Sequence, residues 1–197
     1  MTSVGGVPKI RPMRLEVPAI LATIALVACS DANSIPDATF TNAIDTVVVY
    51  AISGTEVFQP SGYAMTQRSS VRVDISATAD FGYDQTPDGR DVLLPGRMLG
   101  HPGLSGVDPG LQHTDLAFDE ITVAETNNYK TLDTVFVAVG DVLYLRSRIP
   151  STCFLGVPAY GKVEILSLEA ETRTVRFRVL ANLNCGYKSL QPGIPTQ

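Results

Sequence analysis

The sequence predicts an all-β fold: an antiparallel β-sandwich or barrel-like domain that follows an N-terminal signal segment. Three observations carry this. Runs of β-branched and aromatic residues recur between Asp45 and Leu180. The 16 Gly and 13 Pro among 197 residues punctuate them with turns. No helix-period stretch of ordinary length stands out after residue 30. The hydrophobic fraction of 45% suffices for one packed core.

Residues 1–28 form the first segment. Lys9, Arg11 and Arg14 precede an uncharged apolar run from Val17 to Ala28. A dozen residues cannot cross a hydrocarbon core of about 30 Å, which takes about 20. A basic region, a short apolar run and a polar continuation have the layout of a secretory signal. The run ends in Leu26-Val27-Ala28-Cys29, which resembles the bacterial lipobox. That resemblance implies diacylglycerol transfer to the Cys29 sulfur and cleavage before it. The implied localisation is the cell envelope, lipid-anchored at the outer membrane or the periplasmic face. The membrane is then a partner through the anchor, and another envelope protein is a further candidate.

Residues 29–44 read as the lipidated Cys and a flexible tether. Asp31, Asn33, Ser34, Pro36, Asp37, Thr39 and Asn42 break any periodicity there. A tether to residue 44 would hold the domain away from the bilayer. The β-rich domain is expected over residues 45–197.

Within it, Asp45–Ile52 is a strand by composition, and Ser53-Gly54 ends it. Val71, Val73, Ile75 and Ala77 alternate with polar residues, the pattern of a half-buried strand. Phe81 and Tyr83 continue the pattern. Thr86-Pro87-Asp88-Gly89 is a turn leading to Val92-Leu93-Leu94. Residues 95–112 read as one long Gly/Pro loop. Leu116–Phe118 and Ile121–Val123 read as short strands. Thr134–Val139 and Val142–Leu145, joined by Gly140-Asp141, read as a tight hairpin. Lys162–Leu168 and Arg173–Leu180 form a second hairpin, with Glu164 and Glu169 near Arg176 and Arg178 across the pair. Beyond Cys185, Leu190 and Ile194 have the apolar character to pack back onto the sheet.

Of the three cysteines, Cys29 is assigned to lipid, leaving Cys153 and Cys185 as a disulfide pair or as two free thiols. An oxidising compartment permits the bridge. Its 33-residue loop would contribute about 3–4 kcal/mol in the loop-entropy picture.

Chemistry is sparse. His101 and His113 lie near Ser105, Asp108 and Asp115, but Gly103-Leu104-Ser105-Gly106 is not a nucleophile elbow. Asp84, Asp88 and Asp91 have some calcium-loop spacing, yet Pro95 stands where the closing Glu belongs. No Cys or His pair has zinc spacing, and no phosphate-binding glycine motif is present. No catalytic, metal-binding or cofactor-binding residue is therefore assigned, and no cofactor. Removing residues 1–28 leaves 12 basic against 19 acidic residues, a net charge of −7. That charge repels phosphate backbones and excludes nucleic acid as an expected partner.

Thr114–Asp119 and Tyr160–Leu168 resemble segments of the HmuY family of β-rich haem-binding lipoproteins. Neither histidine aligns with a family ligand, so the resemblance carries over no site. The expectation is a non-enzymatic, envelope-anchored binding or structural module. The alternatives are a small-ligand carrier, haem-like ligands included, and an envelope hydrolase.

Overall fold

In the computed structural model, the residues described are 1–2, 5–6, 35–103 and 106–196. Chain contacts divide into two units, 1–34 and 35–197. Apart from residues 1–2 and 5–6, the signal segment lies outside the described residues, as do Cys29 and Ser30 to Ser34. The described residues of the first unit, 1–2 and 5–6, form no strand or helix.

The second unit is a sandwich of two five-stranded antiparallel sheets, not closed into a barrel. The strands are β1 (Ile44–Tyr50), β2 (Gly62–Ala64), β3 (Ser69–Val71), β4 (Phe81–Gln85) and β5 (Asp91–Pro95). They continue with β6 (Gly110–Thr114), β7 (Val135–Phe136), β8 (Val142–Arg146), β9 (Tyr160–Glu169) and β10 (Thr174–Asn182). One sheet runs β1-β10-β9-β8-β6 and the other β3-β2-β4-β5-β7. Met65–Gln67 forms a 3-10 turn between β2 and β3.

Alternation drives the larger sheet. Val175, Phe177 and Val179 of β10 point into the core, while Arg176 is exposed between them. Facing them from the other sheet are Tyr63, Phe81 and Tyr83. The rings of Tyr63, Phe81 and Phe177 lie 5.5–5.7 Å apart, two of the pairs tilted and one edge-on. All three are fully buried, so the space between the sheets is filled by side chains.

The β9–β10 hairpin forms as expected, and Arg178 pairs with Glu164 across it. The β4–β5 hairpin turns at Thr86–Gly89, where Gly89 adopts φ +79°. Three expectations fail. Val73 to Ala77 is not a strand: β3 ends at Val71 opposite Gly62, where its partner β2 begins. Beyond it the chain turns, with Arg72 clasping Asp74 and the Ser76 amide reaching the Arg72 carbonyl. Gly140-Asp141 does not close a hairpin. β7 belongs to one sheet and β8 to the other, so this turn crosses between layers. The Val137 amide bonds Asp91 in the first layer, and the Gly140 amide bonds Ile165 in the second. Leu116–Phe118 and Ile121–Val123 are turns rather than strands, apart from a single bridge between Val123 and Ser189. The expected 95–112 loop is shortened by β6, which starts at Gly110.

Asp80 and Arg148 tie the layers together. The Asp80 carboxylate accepts from the Met65 amide at 2.7 Å, and Arg148 reaches the carbonyls of Ala77 and Ala79. Burial pushes the Asp80 carboxyl up to about 6, against the opposing pull of these hydrogen bonds and Arg148.

Candidate binding surface at the disulfide end

The residues considered for chemistry do not converge. The His101 Nε2 lies 2.9 Å from the Val73 carbonyl and the His113 Nε2 lies 2.9 Å from the Phe136 carbonyl. Asp108 is buried and bonds Arg97 and the Gly103 amide, which hold its carboxyl below the usual range although burial works against them. Asp115 is exposed, and Ser105 lies outside the described residues. The three carboxylates of the calcium-like loop each have another occupation. Asp84 accepts from the amide and hydroxyl of Ser53. Asp88 pairs with Arg90, and Asp91 accepts from the Tyr83 hydroxyl and the Gln85 amide. Burial, then that bond to Asp91, pushes the Tyr83 hydroxyl far above its ordinary value. Among the described residues no group of His, Cys, Asp and Glu is placed to hold a metal ion.

Topology gathers a different set of residues. Ile44 of β1 faces Leu180 of β10, Asn182 faces Tyr160 of β9, and Tyr160 faces Arg146 of β8. One end of the larger sheet therefore receives the segment leading into β1, the 147–159 connection and the C-terminal segment from 183. The Cys153–Cys185 disulfide joins the latter two, with Cα atoms 5.1 Å apart.

Three buried asparagines clamp the segment leading into β1. The Asn184 Oδ1 accepts from the amides of Thr39 at 2.8 Å and Phe40 at 2.9 Å. Its Nδ2 donates to the Phe40 carbonyl and to the Asn182 Oδ1. Asn42 donates to the carbonyls of Ser189 and Gln191, and its backbone exchanges two bonds with Gly193. Asn182 donates to Ser189. Residues 39–42, expected in the tether, are thus bonded to the domain. The C-terminal segment is equally engaged: Leu190 is fully buried and its amide bonds Thr122, whereas Ile194 stays exposed.

Ile35 sits over Gly186. A Cβ built there would lie 3.0 Å from the Leu155 side chain and 3.3 Å from that of Ile35, and φ is +87°. Only glycine fits this close approach without strain. Two clefts flank the segment. One, of about 530 Å³, lies between Ile35, Val123, Tyr187 and Gln191. The other, of about 230 Å³, lies between Phe40, Phe154, Leu183 and the bridge at Cys185. Phe40 and Phe154 are 54% and 72% exposed, unusual for phenylalanine beside a disulfide. Among the described residues lining the two clefts, only Asp37 and Lys188 are charged.

A second pair of clefts, about 620 and 420 Å³, borders the β4–β5 turn. They lie among charged groups, including Asp84, Arg90, Asp91, Asp141 and Arg173, most of which are already paired.

The sequence reading missed the asparagine clamp and a buried lysine. Lys162 lies under the 117–121 turn, its Nζ donating to the Phe118 and Ile121 carbonyls at 2.7 and 2.8 Å. The ammonium also lies 4.5 Å from the Phe118 ring centroid. Burial lowers its pKa. The spacing Asn182-Leu183-Asn184-Cys185 was the one available signal for the clamp, since polar residues between a strand and a bridged cysteine need partners.

The fold and this end define a disulfide-braced antiparallel β-sandwich. No family model, no curated protein and no solved structure matches the chain.

Proposed function

We propose that the chain is an exported, lipid-anchored envelope protein whose sandwich serves as a non-enzymatic binding or structural module. The observation that carries this reading is the Cys153–Cys185 bridge. Such bridges persist in oxidising compartments outside the cytoplasm, the destination that the signal layout specifies. The bridge also leaves Cys29 as the odd cysteine, at the end of the apolar run. The filled core supports a surface-acting module over a carrier that holds its ligand between the sheets. A ligand would have to occupy the clefts at the surface. Partner contacts would use the sheet edges, β1 and β6 in one layer and β3 and β7 in the other.

Metabolic labelling with an alkyne-tagged palmitate tests the anchor. Label should enter the wild-type protein and disappear from the Cys29→Ser variant. Equal labelling of both, or none of either, overturns the reading.

A further inference from the structure

We propose that the disulfide end of the sandwich is a bilayer-contacting face, on which Phe40 and Phe154 enter the interface of the membrane that holds the anchor. The inference rests on lipidation of Cys29 and adds to it an orientation and a contact.

Chain length comes first. A tether running to residue 44 would let the domain stand off in any attitude. The structure ties the chain to the domain from Ile35 onward, since Ile35 packs at Gly186 and residues 39–42 are hydrogen-bonded. Only Ser30 to Ser34 separate Cys29 from Ile35. Six Cα steps span at most about 22 Å when fully extended. A domain of this size has a radius of gyration of about 15 Å and is roughly 40 Å across. With the acyl chains in the bilayer, the far end of the sandwich cannot turn to the membrane. The tether therefore keeps the end bearing Ile35 within about 22 Å of the bilayer.

The chemistry of that end matches its position. Phe40 and Phe154 project from either side of the smaller cleft and are mostly exposed. Val123, by the larger cleft, and Ile194, between Gly193 and Thr196, are exposed as well. Aromatic side chains gain by burial at the acyl boundary, a few ångströms below the head groups. Among the described residues lining the two clefts, Asp37 and Lys188 balance one another, while the chain beyond residue 28 carries −7. The backbone behind both phenylalanines is fixed, by Asn184 for Phe40 and by the Cys153 bridge for Phe154. Because the anchor makes insertion intramolecular, even a weak intrinsic affinity of the face suffices to keep it docked.

The chain contains no Trp, so a single introduced Trp reports alone. Three full-length variants, Phe40→Trp, Phe154→Trp and Val139→Trp, are purified from membranes and reconstituted in phosphatidylcholine vesicles with and without dibrominated acyl chains. Val139 is 61% exposed and precedes β8, at the opposite end of the larger sheet. Phe40→Trp and Phe154→Trp should emit to the blue and lose intensity at least about two-fold with brominated lipid, the depth of an interfacial residue. Val139→Trp should keep the emission of a solvated indole. If the protein floats with the vesicles and all three emit as in water, the contact is refuted while the anchor stands. If it does not float at all, the anchor fails, and the contact with it.

Discussion

Replacing Asn184 with Ala should release the segment leading into β1 and cost the domain about 3 kcal/mol. The side chain makes four hydrogen bonds: two from the Thr39 and Phe40 amides, one to the Phe40 carbonyl and one to Asn182. A net contribution of about 1 kcal/mol per bond gives roughly 4, reduced because water can reach part of the freed backbone. For a domain of this size the loss lowers the melting temperature by roughly 6–12 °C. Thermal and urea unfolding followed by near-ultraviolet circular dichroism measure it. Hydrogen exchange localises it: the Thr39 and Phe40 amides should be protected in the wild type and open in Asn184→Ala, with the β9–β10 amides unchanged. Asn184→Asp keeps both acceptor contacts but forfeits both donations, and it should lose about as much as Ala at neutral pH, because a carboxylate then faces two oxygens. A loss below about 1 kcal/mol for Ala, or unchanged exchange at residues 39 and 40, would refute the clamp.

Three further outcomes follow from other parts of the molecule. Cys153→Ser/Cys185→Ser should lose about 4 kcal/mol in urea unfolding, the loop entropy of the 32-residue separation; an unchanged midpoint after reduction would contradict this. Asp80 has a folded pKa of about 6, above its unfolded value near 3.8, so its contribution is fully present below about pH 4 and lost as pH rises through 6. Asp80→Asn should flatten the stability profile between pH 4 and 6, and a profile parallel to that of the wild type would count against the buried carboxyl. Lys162→Met removes two charge-assisted bonds under the 117–121 turn and should speed exchange of the Glu120 amide with a loss of about 2 kcal/mol. Unchanged exchange there would show that Phe118 and Ile121 hold the turn by themselves.

Much of the larger sheet was legible because its signals are local. The alternation of Val175, Phe177 and Val179 with arginines specifies a strand, and β9 lies close enough in sequence to pair with it. The same alternation at Val73, Ile75 and Ala77 misled, because period two states a pattern and not a partner. β2 offers β3 only three residues, and Val73 instead covers Gly62, where a Cβ would meet it at 2.6 Å. At Gly140-Asp141 the ambiguity is geometric. A tight turn with a left-handed glycine serves a hairpin or a crossing between layers equally well, and only the pairing of Val135–Phe136 with β5 decides. The short apolar pieces around Phe118 and Ile121 read as strands from composition, yet they close a second small core with Leu180 and Leu190 over the Lys162 stem. That contact spans more than 40 residues, beyond any local window. The surface at the disulfide end was legible in its cysteines and in the apolar character of Leu190, which is fully buried. Its clamp depends on Asn42 meeting a segment nearly 150 residues away.

The intact mass of the protein extracted from membranes tests the envelope assignment most directly. The extracted protein should have the mass of residues 29–197 plus a diacylglyceryl group, with or without a further acyl chain, less two hydrogens for the bridge. A soluble species that retains Met1, with the unmodified mass of 21.1 kDa, would contradict it.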